Sequence, residues 1–547
     1  MQGRRLRWAT AALALYAATA WVLLGCTAGL TTHVLGTGAD PGAFIWCLGY
    51  LPWAIAHHQF SPVTHLLWQP YGVNLAWLTT VPLLGLLMAP VTLAAGPLLS
   101  FNLLTLAAPA LAGWAAYFLC LELCEVPAAA MLGGFLFAFS SYEAAQSLDH
   151  LNLDFTALLP LILLAGLRRV RGRAGRGATA FWLGLLLGGE FLISPELLAT
   201  ACLFGGITFL LAYAVAPQYR PALRALALDI ILAAPLALLL AAPVLLAMAK
   251  DMHEAAHPKN WTVVYSIDVL NFLLPTPVTM LGGPELTSIS NHFTGGPDEQ
   301  AGYLGLPALL LLGVILADAE RRRRLWLPLS MLGVALLAAL GPVLQIGGHN
   351  TGIPLPWALI ARLPLLGAAL PARCMVYAFL ALAIITSLWL RARPGRPCMR
   401  AAICICVFLL PAKHAAPPAP FSSFFRPGRV QQVLGPQPNL LILPFSLNGP
   451  SSIWQAESGF SFTQTGGYLG LPPAQARAYP VVITLLDDPT GQGLSAAGFA
   501  AYVHDAGTQY VIAGPGTAPA ELAAVSSLGW PARQVDDVTV FTVPAGP

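Results

Sequence analysis

Gly36-Thr37-Gly38-Ala39-Asp40-Pro41-Gly42-Ala43-Phe44-Ile45-Trp46 follows the first long apolar segment of the chain, and its aspartate is the only acidic residue among the first 121. A lone carboxylate at the mouth of an apolar span carries a desolvation cost, so it points to chemistry or transport rather than to stability. The glycines at 36, 38 and 42 would let backbone and substrate approach that carboxylate closely. The structural alternative is an aspartate that caps a loop before Pro41.

The surroundings are just as apolar. Of 547 residues, 57% are hydrophobic and 9% charged, and the mean hydropathy is +0.70. Such a composition cannot clothe a soluble globule, so the chain is expected to be a polytopic α-helical membrane protein. The net charge of +3 is small and its basic residues cluster between apolar runs, which speaks of topology and against a nucleic-acid partner. Lysine occurs only at 250, 259 and 413, the rest of the basic residues being arginine; with heavy Ala, Gly and Pro use this suggests a GC-rich bacterial source. None of the nine cysteines lies beyond Cys406, which excludes a disulfide framework there, and Cys404 and Cys406 read as small buried hydrophobes.

A ruler of about 20 apolar residues per crossing gives about eleven spans, near residues 8–30, 100–121, 127–142, 153–168, 178–193, 197–215, 225–248, 303–317, 325–344, 374–390 and 401–411. Arginine orients them. Arg4, Arg5 and Arg7 precede the first span, and Arg168 to Arg176, Arg220 and Arg224, Arg321 to Arg324, and Arg391 to Arg400 follow later ones, all on one side. The positive-inside rule assigns that side to the cytoplasm, with the N-terminus inside. The acidic segment Glu122 to Val126 is the exception. The polar residues, including all eleven histidines, then face outward.

Val81 to Leu99 is left out of the count, because it holds three prolines and would invert the arginine pattern. It reads instead as part of a long first outer loop, 31–99, whose amphipathic helices lie on the membrane surface with Trp46, Tyr50, Trp53, Trp68, Tyr71 and Trp77 at the interface. Leu23-Leu24-Gly25-Cys26 imitates a lipoprotein cleavage signal and is taken as part of an uncleaved span. The membrane part is drawn as residues 1–411. After a proline-rich linker, 412–547 reads as a small outer α/β domain, with strands at 440–443, 481–484, 510–512 and 538–541 and helices at 495–504 and 518–527.

Several short segments carry a resemblance: the one around Asp40, then Gln69-Pro70-Tyr71-Gly72, Asp149-His150-Leu151-Asn152-Leu153 and Phe191-Leu192-Ile193-Ser194-Pro195-Glu196. With an acid in a long first outer loop, a membrane bundle and an outer soluble domain, the chain resembles the GT-C superfamily of polytopic glycosyltransferases over about residues 1–400. The resemblance implies a multi-pass protein of the bacterial cytoplasmic membrane with its C-terminal domain outside. It further implies an inverting transfer from a polyprenyl-phosphate sugar donor to a glycan, lipid or protein acceptor, with Asp40 as the general base. Many relatives carry two adjacent acids at this position, whereas here Asp40 is followed by Pro41.

Asp149, His150, Asp154 and Glu196 fall in the next outer loops. Brought to one face they would meet an acceptor or bind a divalent cation, although their spacing is irregular and solvated loop groups are the alternative. Arg362 and Arg373 stand in the last large outer loop, where arginine is disfavoured, and a guanidinium there suits a lipid-linked phosphate. Lys250, His253, His257 and Lys259 form a second basic outer cluster. Two other classes remain open: a transporter or flippase of a lipid-linked saccharide, which would place charges at mid-membrane, and a non-catalytic membrane assembly component.

Overall fold

The computed structural model describes residues 2–25, 29–250, 261–363 and 366–545. The chain packs as two compact units, one of residues 1–28, 104–242 and 257–416, the other of residues 29–103, 243–256 and 417–547. The first outer loop groups with the C-terminal segment.

In the first unit, apolar length decides which helices can cross a membrane. Among the described residues six are long and apolar enough: Arg5–Gly25, Pro97–Cys124, Leu151–Val170, Pro195–Val215, Pro217–Lys250 and Pro371–Ala392. They coincide with six of the expected crossings. At the other five positions lie Pro127–Ala138, Arg176–Phe191, Leu306–Ala317, Trp326–Ala339 and Arg396–Phe408, of 12, 16, 12, 14 and 13 residues. At about 1.5 Å per residue these reach roughly 18–24 Å, short of a hydrocarbon core of about 30 Å.

Pro371–Ala392 is the centre of the bundle, with 78% of its apolar window buried, against 11% for Pro195–Val215 and 17% for Pro217–Lys250. The last two turn Leu210, Ile231, Leu239 and Leu246 outward, surface that water would penalise and lipid accepts. Small residues set the closest approaches. A Cβ on Gly133 would fall 2.2 Å from Ser387 Oγ, and one on Gly134 would fall 2.5 Å from the carbonyl of Gly113, the close packing that membrane helices use in place of a hydrophobic drive.

The acidic exception to the arginine pattern has a local cause. Glu122 pairs with Arg168 at 3.3 Å and Arg173 at 2.5 Å, Glu125 lies 3.4 Å from Arg173 and from Arg391, and buried Asp229 pairs with Arg169 and, at 3.4 Å, with Arg176. The loop 122–126 thus supplies counter-charges to the arginines, and all these segments lie at one end of the bundle.

The second unit is built on a five-stranded sheet ordered Thr463–Gln464, Asn439–Leu443, Tyr510–Ala513, Val538–Thr542, Ala532–Val535. The first three strands run parallel, and Val538–Thr542 pairs antiparallel with both of its neighbours. Asn439–Leu443 is buried throughout, as a parallel strand covered on both faces must be. The run Val481 to Thr484, expected as a strand, belongs to the helix Pro480–Asp487. Pro480 is preset for a first helical turn, and Val481, Val482 and Leu485 share one buried face.

Residues 29–103 contribute the helices Asp40–Ala56 and Pro82–Ala95. Three of the aromatics expected at a lipid interface are instead protein core: Trp46 is 0% exposed, Trp68 1% and Tyr50 5%. Trp46 stacks on Tyr50 at 4.7 Å, meets Phe460 edge-on, and donates Nε1–H to Gln455 Oε1 at 2.7 Å. Gln455 in turn donates to the carbonyls of Leu66 at 2.9 Å and Phe462 at 2.8 Å. Backbone bonds Gln464 N to Leu66 O, Trp68 N to Gly466 O and Gln69 N to Gln464 O complete the seam. Aromatic rings mark membrane interfaces and packed cores alike, so composition alone could not separate the two.

Gln455→Leu keeps the volume and strands the Trp46 N–H and two carbonyls. Each buried orphan costs about 1–3 kcal/mol. The thermal midpoint of the full-length protein, read by tryptophan fluorescence, is expected to fall by several degrees; an unchanged midpoint would show that the seam does not depend on this side chain.

Candidate functional site

In the first unit, the ends of the helices opposite the arginine clusters gather most of the remaining charge. Glu196 lies in the first turn of Pro195–Val215, Arg373 in the turn Pro371–Cys374 that opens the central helix, and Glu299 in the turn Pro297–Glu299. Arg373 donates Nε–H and Nη2–H to Glu299 Oε1 at 2.8 and 2.6 Å, and Nη1–H to Glu196 Oε2. Glu196 also accepts from the backbone N–H of Leu370 at 2.9 Å. Arg373, expected at a donor phosphate, has its guanidinium paired with two carboxylates. Burial pushes the Glu299 carboxyl up to about 7, against the pull of Arg373. Glu196, expected beside Asp149 and His150, belongs to this ion pair instead.

Asp149 and His150 meet a different acid, Asp298. One ligand atom from each of the three lies within 4.8 Å of the others, and His150 Nδ1 stands 3.8 Å from Asp298 Oδ2. Burial, and then Arg373, hold the imidazole's proton affinity well below its usual value. A neutral imidazole with two carboxylates is a mixed N/O donor set that fits a divalent cation such as Mn²⁺ or Zn²⁺. Gln146 supports the set by donating to the Asp298 carbonyl at 2.7 Å.

A third group was invisible in the sequence. Asp154, expected in an outer loop with Asp149 and His150, is 1% exposed, and it lies against Glu143, 2% exposed. Thr156 Oγ1 donates to Glu143 Oε1 at 2.5 Å. Burial, and next the Asp154 charge, raise Glu143 well above the usual carboxyl range, so this pair retains a proton at neutral pH.

In the second unit, Asp40 opens the Asp40–Ala56 helix with Pro41 beside it, where an acid is favoured by the helix dipole and proline needs no N–H. Its Oδ1 accepts from Tyr468 Oη at 2.5 Å. Gly42 is not there for close approach: a Cβ would meet Ile453 Cγ1 at an ordinary 3.6 Å. Farther along the helix, Trp46, Tyr50 and Leu51 line an apolar cleft of about 90 Å³ with Phe60, Leu75 and Val244. Arg362, the other expected phosphate ligand, is exposed in the turn after Trp357–Ile360. Lys250 ends the long Arg220–Lys250 helix; His253, His257 and Lys259 of its expected cluster, like Cys26, lie outside the described residues.

Sequence reading missed Glu143, Asp298, Glu299 and Tyr468. A signal existed for three of them. Asp298 and Glu299 are adjacent acids after Gly295-Gly296-Pro297 in a chain with few charges, and Tyr468 follows Gly466-Gly467. Glu143 had none, because its meaning comes from the burial of Asp154 beside it.

This architecture is similar to two solved membrane enzymes. Arabinofuranosyltransferase AftD from Mycobacteria aligns at a TM-score of 0.56 and 13% identity over 99% of this chain and 40% of that one. The oligosaccharyltransferase of Archaeoglobus fulgidus aligns at 0.50 and 13% identity over 92% of this chain and 69% of that one. The chain thus spans about 40% of the length of AftD, and at these identities the likeness is one of fold: the protein has the GT-C fold. No curated protein matches it. Residues 7–411 match the family described as Domain of unknown function (DUF6311), and the chain belongs to that family.

Arg373→Gln leaves Glu196 and Glu299 facing each other without a counter-charge, a loss of roughly 3–5 kcal/mol for a broken buried pair. Folded yield in detergent is expected to collapse, and the double variant Arg373→Gln/Glu299→Gln to recover part of it. Equal yields of the two variants would show that the ion pair does not hold the turn.

Proposed function

We propose that the protein is a membrane glycosyltransferase that moves a sugar from a polyprenyl-phosphate donor to an acceptor hydroxyl on the outer face of a bacterial cytoplasmic membrane, with Asp40 as the general base. In this reading the arginine-rich end of the bundle faces the cytoplasm, and residues 417–547 lie outside. The observation that carries it is Asp40 itself: a carboxylate at the first turn of a buried helix, oriented by a hydroxyl, in a GT-C fold.

The chemistry is a single displacement. Asp40 takes the proton of the acceptor hydroxyl as its oxygen attacks the anomeric carbon. The new C–O bond forms as the bond from that carbon to the phosphate oxygen breaks, and the polyprenyl phosphate leaves with the electron pair. The configuration at the carbon inverts. Arg362 is assigned to the donor phosphate, since an exposed guanidinium outside the cytoplasm is available to it. A divalent cation on Asp149, His150 and Asp298 would supply charge neutralisation when bound; the three residues bring their ligand atoms within 4.8 Å of one another. The apolar cleft along the Asp40–Ala56 helix suits part of a prenyl chain.

Transport is the weaker reading. Buried Glu190 lies in the last turn of its helix, and buried Asp229 is neutralised by arginine, whereas a translocation path needs ionisable groups at mid-membrane.

The test uses full-length protein in phospholipid vesicles, undecaprenyl-phosphate donors carrying glucose, galactose, mannose or arabinose, and a membrane extract as acceptor source. Asp40→Asn has nearly the same shape and cannot take the proton, so release of undecaprenyl phosphate is expected to fall by about 10²- to 10⁴-fold while the protein stays folded. A loss below about tenfold removes Asp40 from the mechanism. A wild-type protein that releases no lipid phosphate from any donor returns the chain to a transport or assembly role.

A further inference from the structure

Asp40 is held from a part of the chain more than 400 residues away. Tyr468 stands in Gly466-Gly467-Tyr468-Leu469-Gly470, a loop pinned at two successive carbonyls: Ser446 Oγ donates to Gly467 O at 2.7 Å and Ser452 Oγ to Tyr468 O at 2.8 Å. Neither glycine before the tyrosine has room for a side chain. A Cβ on Gly466 would lie 2.5 Å from the Phe445 ring and one on Gly467 2.4 Å from Leu67, and Gly467 has φ +112° besides. A loop so closely packed is a rigid mount.

The other end of the hydrogen bond is braced by the same short helix. Ser451–Glu457 carries Ser452, which holds the Tyr468 carbonyl, Ile453, which lies under Gly42 two residues from Asp40, and Gln455, which holds the Trp46 indole. Three residues of two helical turns therefore set the distance between the tyrosine hydroxyl and the carboxylate. A pairing needed only to cap a helix would not require that bracing, since the helix dipole and a local side chain suffice.

We propose that Tyr468 is a positioning residue for Asp40: its hydroxyl fixes one carboxylate oxygen, so that proton uptake from the acceptor falls to the other, and residues 417–547 are thereby part of the transfer site. The role in transfer rests on Asp40 being the base; the hold on the carboxylate does not. A hydrogen bond donated to the ionised carboxylate favours that form and lowers its proton affinity. Its removal raises the affinity, so the acidic limb of the rate profile moves to higher pH. Among the described residues, the titratable groups on the helices packed here can be named. The Asp40–Ala56 helix carries Cys47 and Tyr50, Ser451–Glu457 carries Glu457 at its last position, and Pro82–Ala95 carries none. Burial, and then Asp40, keep the Cys47 thiol protonated.

Infrared titration of the full-length protein in detergent reads Asp40 directly, its carboxyl band being the one lost in Asp40→Asn. Tyr468→Phe is expected to raise the midpoint of that band by about one to two pH units with an unchanged melting temperature. In the vesicle assay it should lower kcat about tenfold or more with little change in KM for the undecaprenyl-phosphate donor, and shift the acidic limb by the same interval. A midpoint unmoved by Tyr468→Phe overturns the proposal. Should the Phe variant not fold, Ser452→Ala, which keeps the hydroxyl and loosens its mount, is expected to give a smaller shift in the same direction, and no shift overturns the proposal equally. If Asp40→Asn leaves transfer intact while the midpoint still moves, the base assignment fails and the positioning contact stands.

Discussion

A charge taken into an apolar bundle must find its opposite or give up its charge, and that constraint sorts this protein. With 27 basic and 24 acidic residues in 547, several charges of the bundle have a partner that can be named. At one end Glu122, Glu125 and Asp229 neutralise arginines; at the other Arg373 lies between Glu196 and Glu299. The central helix Met375–Ala392 has 18 residues, about 27 Å, and it separates the two sets by nearly the thickness of a hydrocarbon core. Where no opposite charge is at hand, as for Glu143 beside Asp154, the carboxyl keeps its proton.

Much of this was legible beforehand, and what was not has a physical explanation. Hydropathy located the six helices long and apolar enough to cross a membrane, because apolar length is a local property. Arginine spacing foretold which segments share one end of the bundle, and the one acidic segment that broke the rule is where those arginines find their partners. Properties that depend on distant pairing were misread. The carboxylate partner of Arg373 was out of sight because Glu299 lies 74 residues earlier, and Trp46 looked like an interfacial ring because its partner Gln455 is 409 residues later. Val481 to Thr484 has strand composition, yet Pro480 and the spacing of its buried residues make it a helix.

The candidate site divides in the same way. Asp40 was visible as an isolated acid, and Asp149 with His150 as a polar pair in an apolar chain. Their actual neighbours, Tyr468 and Asp298, come from segments whose relation to them exists only in three dimensions. Asp298 and Glu299 illustrate this well: adjacent in one turn, they face opposite duties, one towards the imidazole and the other towards the guanidinium.

The seam between residues 66–69 and 464–466 also has a consequence for synthesis. The early segment cannot close until its partner has left the ribosome, about 400 residues later. At 5–20 residues per second that is a delay on the order of 20 to 80 s, during which Trp46 and Trp68, both buried in the finished fold, stand uncovered beside a membrane. Through that interval the nascent loop lacks its packing partner, and a ribosome stalled before residue 464 would leave the chain with its first loop still open.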